Sequence, residues 1–309
     1  MAETRNIDVV VIGSLNHDIV AGVTAGPGPG ETVLAHTLTR TNGGKGGNQA
    51  AAAAREGASV LMVSSIGADA EGDMQIEDLA GRGIDVRGVI RQADRPTSLA
   101  LIWVTPDGEN SIIVTPGAKD CLTPELVREK AATLFSDSTQ AVRIVLAQSE
   151  VGSAVCDAAA DIARELAARF ILSCGPVVLP SKDTLRRCDP VIVNTTEARD
   201  LLQQLGSVAD VPEDMLAQTL LTATGASSVV VTLGAKGSLL AQAGVSPIVI
   251  EPVAASRVVD TTGAGDTYCG VLAARLALGG LLPDACRRAT AAAAESVSWL
   301  GARPHPNAR

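Results

Sequence analysis

The sequence predicts an α/β fold of three α/β/α layers, with a mainly parallel central sheet and a small projecting β-sheet lid. Three observations predict it. Short β-branched runs alternate with longer Ala-rich runs of helical character. The apolar runs end at Gly, Pro or a polar cluster, as buried strands do. Two stretches, residues 17–41 and 95–115, break the rhythm with turn signals and period-two patterning. Continuous β–α alternation calls for parallel strands covered on both faces.

Taken in order, "IDVVVIGS" (residues 7–14) reads as the first buried strand. Residues 17–41 follow, with "GPGPGE" marking turns, and then "NQAAAAAREGA" (48–58), a helix of strong helix formers. "SVLMVSSIG" (59–67) reads as a strand. Residues 95–115 alternate in "TSLALIWV" and "NSIIV" around the turn "TPDGEN". This second insertion is expected to pair with the first in a small sheet. Further strands are expected at 143–150, 170–176, 190–197 and 228–234, with helices at 153–170 and 213–226. No linker or composition shift divides the chain, so residues 1–309 are expected to form one domain that carries the two lid segments.

Composition narrows the function. Apolar residues make up 46% of the 309, enough for a sizeable core, and the formal net charge is −9. That sign argues against nucleic acid or an anionic membrane as partner. Aromatic residues are only 2%, too few for base-stacking platforms. The six cysteines form no C-x-x-C pair and read as free thiols of a reducing compartment. The start "MAETRNIDVVVIGS" lacks a signal-peptide pattern, and no apolar run reaches the ~20 residues of a membrane span. A cytoplasmic location is expected.

Two glycine-rich stretches carry the chemistry. "DTTGAGDTYCG" (260–270) places a carboxylate, Asp266, behind bare backbone amides. Such a turn opening a helix offers N–H groups to an anion. A carboxylate there repels that anion, which makes sense if it removes a proton while the amides hold a phosphate. "NGGKGGNQA" (42–50) is neither a P-loop nor a dinucleotide fingerprint, since Lys45 is followed by Gly46. Its glycines still let a ligand approach the backbone. A plainer reading leaves Asn16 and Asp18 as turn residues and Lys45 solvated. However, Asn16, Asp18, Glu150, Asn194, Glu197, Thr232, Gly234, Asp260 and Asp266 all follow expected strands. In open parallel sheets that is where ligands bind.

These residues give the chain a resemblance to the ribokinase-type carbohydrate kinases of the PfkB family. "GSLNHD" (13–18), "PGETV" (29–33), "GGKGGNQA" (43–50), "NTTEA" (194–198), "TLGAKG" (232–237) and "DTTGAGDTYCG" match its motifs in order, over nearly the whole chain. The resemblance implies an ATP-dependent kinase acting on the 5-hydroxyl of ribose or a close relative. Asp266 would be the general base, and the amides of Gly263, Ala264 and Gly265 the anion hole. Asn16, Asp18, Gly44, Lys45, Asn48 and Glu150 would hold the sugar hydroxyls. Asn194, Thr232, Gly234 and Gly237 would contact ATP, and Glu197 would organise Mg2+ through its waters. Asp260 and Thr262, with backbone carbonyls of the segment from Ser296 to Gly301, would bind K+. His305 stands where a small hydroxyl residue is more usual. Open strand edges and apolar faces such as "LALIWV" in the lid segments are liabilities unless covered, so a homodimer paired through the lid is expected.

Other readings stay open on sequence. The substrate could be deoxyribose, fructose, a sugar acid or a nucleoside, although the scarcity of aromatics disfavours a base pocket. A non-catalytic sugar or nucleotide sensor would be expected to lose the base or the anion hole, and both are present.

Overall fold

The computed structural model describes residues 7–106, 109–136 and 141–304. Along the chain run β1 (Val9–Ile12), β2 (Asn16–Gly22), β3 (Thr37–Gly43), α1 (Lys45–Arg55), β4 (Val60–Gly67), α2 (Ala70–Gly81), β5 (Asp85–Gln92), β6 (Leu99–Val104) and β7 (Asn110–Val114). Then come α3 (Pro124–Leu134), β8 (Ile144–Gln148), α4 (Ser153–Glu165), β9 (Arg169–Ser173), α5 (Lys182–Arg187), β10 (Cys188–Asn194), α6 (Thr195–Gln204) and α7 (Leu216–Thr224). The chain continues through β11 (Ser228–Thr232), β12 (Ser238–Gln242), β13 (Val245–Ile250), α8 (Ala264–Ala277) and α9 (Leu282–Ser296).

Among the described residues the main sheet has the order β13-β12-β11-β10-β9-β8-β1-β4-β5. All its pairs are parallel except β11–β12 and β12–β13. The chain first builds outward from β1 to β4 and β5. It then returns to β8 and builds the other way. The order therefore reverses between β1 and β8, the topological switch point at which such sheets open a crevice.

Strand alternation creates two cores. Val10, Ile12, Val145, Leu172, Val191 and Val231 face the layer of α3 to α7. Val9, Val11, Ile144, Leu146, Ile171 and Val230 face α1, α8 and α9. This is the expected three-layer arrangement.

The helix expected at 153–170 ends at Glu165, because Arg169–Ser173 is already strand β9. The helix expected at 213–226 opens with a single tight turn, and Gly225 at φ 68° stops it. The helix expected at 48–58 starts three residues earlier, at Lys45.

The two insertions pair as expected into a separate sheet of order β3-β2-β6-β7. Where they meet, β2 and β6 run parallel rather than antiparallel, with Asp18 opposite Ala100. Leu38, Ile112, Ile113 and Val114 of this sheet are exposed.

The close approach of α1 and α8 positions the site. A Cβ built on Gly270 would lie 2.2 Å from the Gln49 carbonyl oxygen and 2.7 Å from the Ala52 methyl. Glycine is required there for steric reasons. Gly270→Ala should force the helices apart and lower stability by about 1–3 kcal/mol. A urea midpoint that matches the parent's would contradict this account of the packing.

Candidate functional site

Two helix N-termini converge beyond the switch point. Gly44, at φ 92°, leads into α1. A Cβ on it would lie 2.6 Å from the Ser14 carbonyl oxygen, so the bend after β3 lies tight against the strand-end loop. The Gly47 N–H donates to that same oxygen at 3.2 Å. Gly263, at φ 75°, leads into α8. A Cβ there would lie 2.5 Å from the Ala302 methyl.

Asp266 sits in the first turn of α8 and is buried. Both carboxylate oxygens are held from α1. Asn48 Nδ2 donates to Oδ2 at 2.9 Å, and Gln49 Nε2 donates to Oδ1 at 3.0 Å. Gln49 is held in turn, because Gln148 Nε2 donates to its Oε1 at 2.8 Å. The carboxylate thus has a set direction before any ligand arrives. Beside it, the first N–H groups of α8 have no acceptor within the helix. Of the three amides expected to form an anion hole, Ala264 N–H is turned back onto Thr261 O at 3.3 Å. Gly263 and Gly265 lie with it on the wall of the cleft.

That cleft has a volume of about 220 Å³ and brings Lys45, Asn194, Glu197, Thr232 and Asp266 together. Lys45 is largely enclosed, not solvated. Burial alone would lower its pKa, but the carboxylates of Asp266, Glu150 and Glu197 outweigh burial and hold it above the ordinary value. Glu197 and Asn194 cap α6 reciprocally: Asn194 N–H donates to Oε2 at 2.8 Å, and Glu197 N–H donates to Asn194 Oδ1 at 2.9 Å. Burial raises the Glu197 pKa despite the Asn194 N–H and Lys45, and its Oε1 lies over the Gly175 backbone. Gly234 and Gly237 lie in the turn between β11 and β12, at φ 59° and 89°.

The second cluster lies on the lid side. Asn16 and Asp18 belong to β2, not to a turn, and Asn16 Nδ2 donates to Asp18 Oδ1. Ser14 Oγ donates to Glu150 Oε2 at 3.0 Å, with Lys119 Nζ 4.0 Å from the other oxygen. Burial pushes the Asp18 carboxyl up to about 6, against the lowering effect of Arg303 and with help from Glu150.

A third cluster joins the two strands of the expected cation loop. Asp260 Oδ1 accepts from Thr262 N–H at 2.9 Å, and Oδ2 accepts from Gly301 N–H at 2.9 Å. Burial would raise Asp260, and these donors together hold it below the usual carboxylate range. Val297 O is taken by the N–H groups of Val259 and Asp260, and Ser296 Oγ donates inside α9 to Ala293 O. The Ser296 hydroxyl is therefore committed away from the loop. His305 lies outside the described residues.

Sequence reasoning missed two residues here. Gln49 stood beside Asn48 in the quoted motif, and its place near the start of a glycine-opened helix was the available signal. Arg303 has none, since "GARPHP" reads as a polar tail. Of the six cysteines, Cys121 is partly exposed and the other five are buried. Cys269 lines the cleft, and burial pushes its thiol up to about 12, so it is not a nucleophile at neutral pH.

The model of the pfkB family carbohydrate kinases matches residues 6–308. The ribokinase of Haemophilus influenzae is 34% identical over 295 residues, covering 96% of this chain and 94% of its own. The crystal structure of a Thermotoga maritima ribokinase superposes with a TM-score of 0.84 at 30% identity, covering 98% of this chain and 97% of its own. An Arabidopsis thaliana ribokinase complexed with ribose and ATP gives 0.81 at 30% identity, with the same coverage.

Asp18 generates a pH prediction. Its folded-state pKa is raised, so the carboxylate acceptor is present above about 6 and is lost as pH falls through that value. Affinity for a sugar should fall between about pH 7.5 and about pH 5, and Asp18→Asn should flatten that dependence. Equilibrium titration of sugar at several pH values checks it. An unchanged pH profile in the variant would count against Asp18.

Proposed function

The chain belongs to the pfkB family of carbohydrate kinases, and from that premise we propose that it transfers the γ-phosphate of ATP to the 5-hydroxyl of D-ribose. The supporting observation is Asp266, a buried carboxylate aimed by two amides into a cleft that also holds Lys45 and the N-terminus of α8. Ribose and ATP are the ligands named for the similar Arabidopsis enzyme. The sensor reading is disfavoured by the same observation, because the base and the glycine turn are both intact.

Asp266 takes the proton as the sugar oxygen attacks the γ-phosphorus. The bond from that phosphorus to the bridging oxygen breaks, and ADP leaves with the electron pair. Charge on the transferring group is met by the N–H groups opening α8 and by Lys45, which shares the cleft with them and is therefore assigned here to the phosphoryl group rather than, as first expected, to the sugar. Asn16, Asp18, Gly44, Asn48 and Glu150 bind the sugar. A site that hydrogen-bonds each hydroxyl rejects an analogue lacking one, because its own polar groups are left unpaired. This favours ribose over deoxyribose. Asn194, Thr232, Gly234 and Gly237 line the nucleotide end.

Glu197 fits an outer-sphere role toward Mg2+, since Oε2 is engaged by Asn194 and Oε1 remains beside the cleft. Magnesium would neutralise phosphate charge. Asp260, Thr262 and the backbone from Ser296 to Gly301 form an oxygen-rich loop suited to K+, with Val297 O already committed. A cation there would add positive charge behind the α8 turn. A cytoplasmic location accords with this chemistry, and among the described residues no helix is long and apolar enough to cross a membrane.

The small sheet acts as a lid over the sugar and as the pairing surface of a homodimer. Its exposed Leu38, Ile112, Ile113 and Val114 are a liability unless covered. Ile112→Glu should shift the sedimentation profile toward monomer. A parent that is already monomeric at micromolar concentration removes the dimer and leaves the lid.

The central test of function is turnover of ribose compared with deoxyribose, fructose and nucleosides by kcat/KM, in the parent and in Asp266→Asn. Ribose should lead, and the variant should lose about 10²–10⁴-fold in kcat with sugar affinity within a few-fold. A loss below about tenfold would remove the general-base role.

A further inference from the structure

Arg303 is buried, with its side chain only 2% exposed. It reaches back from the segment after α9 into the space between α1, α2 and the end of β3. Nε donates to Asn48 Oδ1 at 2.8 Å. Nη1 donates to Gln75 Oε1 at 3.1 Å and to Asp78 Oδ2 at 3.0 Å, and Nη2 donates to Gly43 O. Room for the fork exists because residue 47 is glycine, whose Cβ would lie 2.0 Å from Nη2. The charge is compensated by Asp78, which also pairs with Arg82.

The chemistry of these bonds is directional. A guanidinium only donates, so the atom of Asn48 facing it must be the carbonyl oxygen. The amide nitrogen then faces Asp266 Oδ2, the geometry observed. If the amide turned over, its oxygen would face the carboxylate, and two acceptors would repel. Among the described residues, the Arg303 bond and the Asp266 contact are the hydrogen bonds of the Asn48 side chain, so apart from Asp266 itself Arg303 alone favours the productive orientation over the inverted one.

The same short segment touches the other half of the site. Gly301 N–H donates to Asp260, and Ala302 packs on Gly263. Three consecutive residues, 301–303, thus span from the cation loop to the sugar loop.

We propose that Arg303 is a positioning residue for phosphoryl transfer, which fixes the polarity of the Asn48 amide and through it the direction of the Asp266 carboxylate. This rests on the reading of Asp266 as the base. It also holds the Gly43 carbonyl, and so the bend that presents Lys45.

A double-mutant cycle tests it, using Arg303→Met and Asn48→Leu, alone and together. The sugar is whichever member of the panel the parent turns over best, so a parent preferring another sugar overturns the ribose reading without disabling the cycle. Each single change should lower kcat by about tenfold or more while the KM for ATP stays within about twofold. In the Asn48→Leu background, Arg303→Met should cost less than about threefold further in kcat. Arg303→Lys keeps a cation for Asp78 but not the fork, so it should restore melting temperature more fully than kcat. If Arg303→Met does not fold, the cycle is run with Arg303→Lys. Multiplicative losses in kcat, or kcat that tracks melting temperature across all variants, would overturn the proposal and leave Arg303 a structural residue.

Discussion

Two amide side chains on one helix hold a carboxylate on another, and much of the architecture can be traced from that contact. Asn48 and Gln49 are the fourth and fifth residues of α1, and Asp266 lies in the first turn of α8. Both helices start from a glycine in the left-handed region. Gly46 lets α1 lie against Gly13 at the end of β1, and Gly270 lets α8 lie against Gln49 of α1. A methyl group at any of these places would move one helix relative to the other. The main sheet supplies the platform, since reversal of its strand order between β1 and β8 opens the crevice that both helices face.

The electrostatics of the site follow from crowding acidic groups around one lysine. Asp266, Glu150 and Glu197 together keep Lys45 charged despite its enclosure. Asp18 is raised instead, because burial and the nearby Glu150 outweigh the Arg303 guanidinium. The cleft of a chain with net charge −9 can still accept a polyphosphate. Local N–H groups and Lys45 act at contact distance, whereas the global charge is screened over about a Debye length. The lid is built from two segments far apart in sequence. Asn16 and Asp18 are carried on β2, the strand that pairs with both β3 and β6.

Much of this was legible in the residues. The parallel core strands showed themselves because Val, Ile and Leu fill both faces of β1, β8, β10 and β11. The lid showed itself through alternation. β5 was not read because "DVRGVIRQ" carries two arginines and lies at the sheet edge, where polar residues are tolerated. The antiparallel β12 and β13 were hidden among short mixed runs. The glycine motifs disclosed the buried carboxylate Asp266 and the glycine turn that opens α8, since both depend on local backbone chemistry. Gln49 and Arg303 act through contacts across 217 and 255 residues of sequence, and no local pattern encodes such pairings.

The central claim is that the Asp266 carboxylate is aimed by α1 before substrate arrives. Gln49 tests it most directly, because it is fully buried behind the carboxylate and does not line the cleft. Rapid-quench measurement of a single turnover in Gln49→Leu reports the phosphoryl-transfer step apart from product release. The account predicts a rate reduced by roughly tenfold or more, from loss of a hydrogen bond to a charged group, with the sugar dissociation constant within about twofold. A transfer step as fast as the parent's would contradict it.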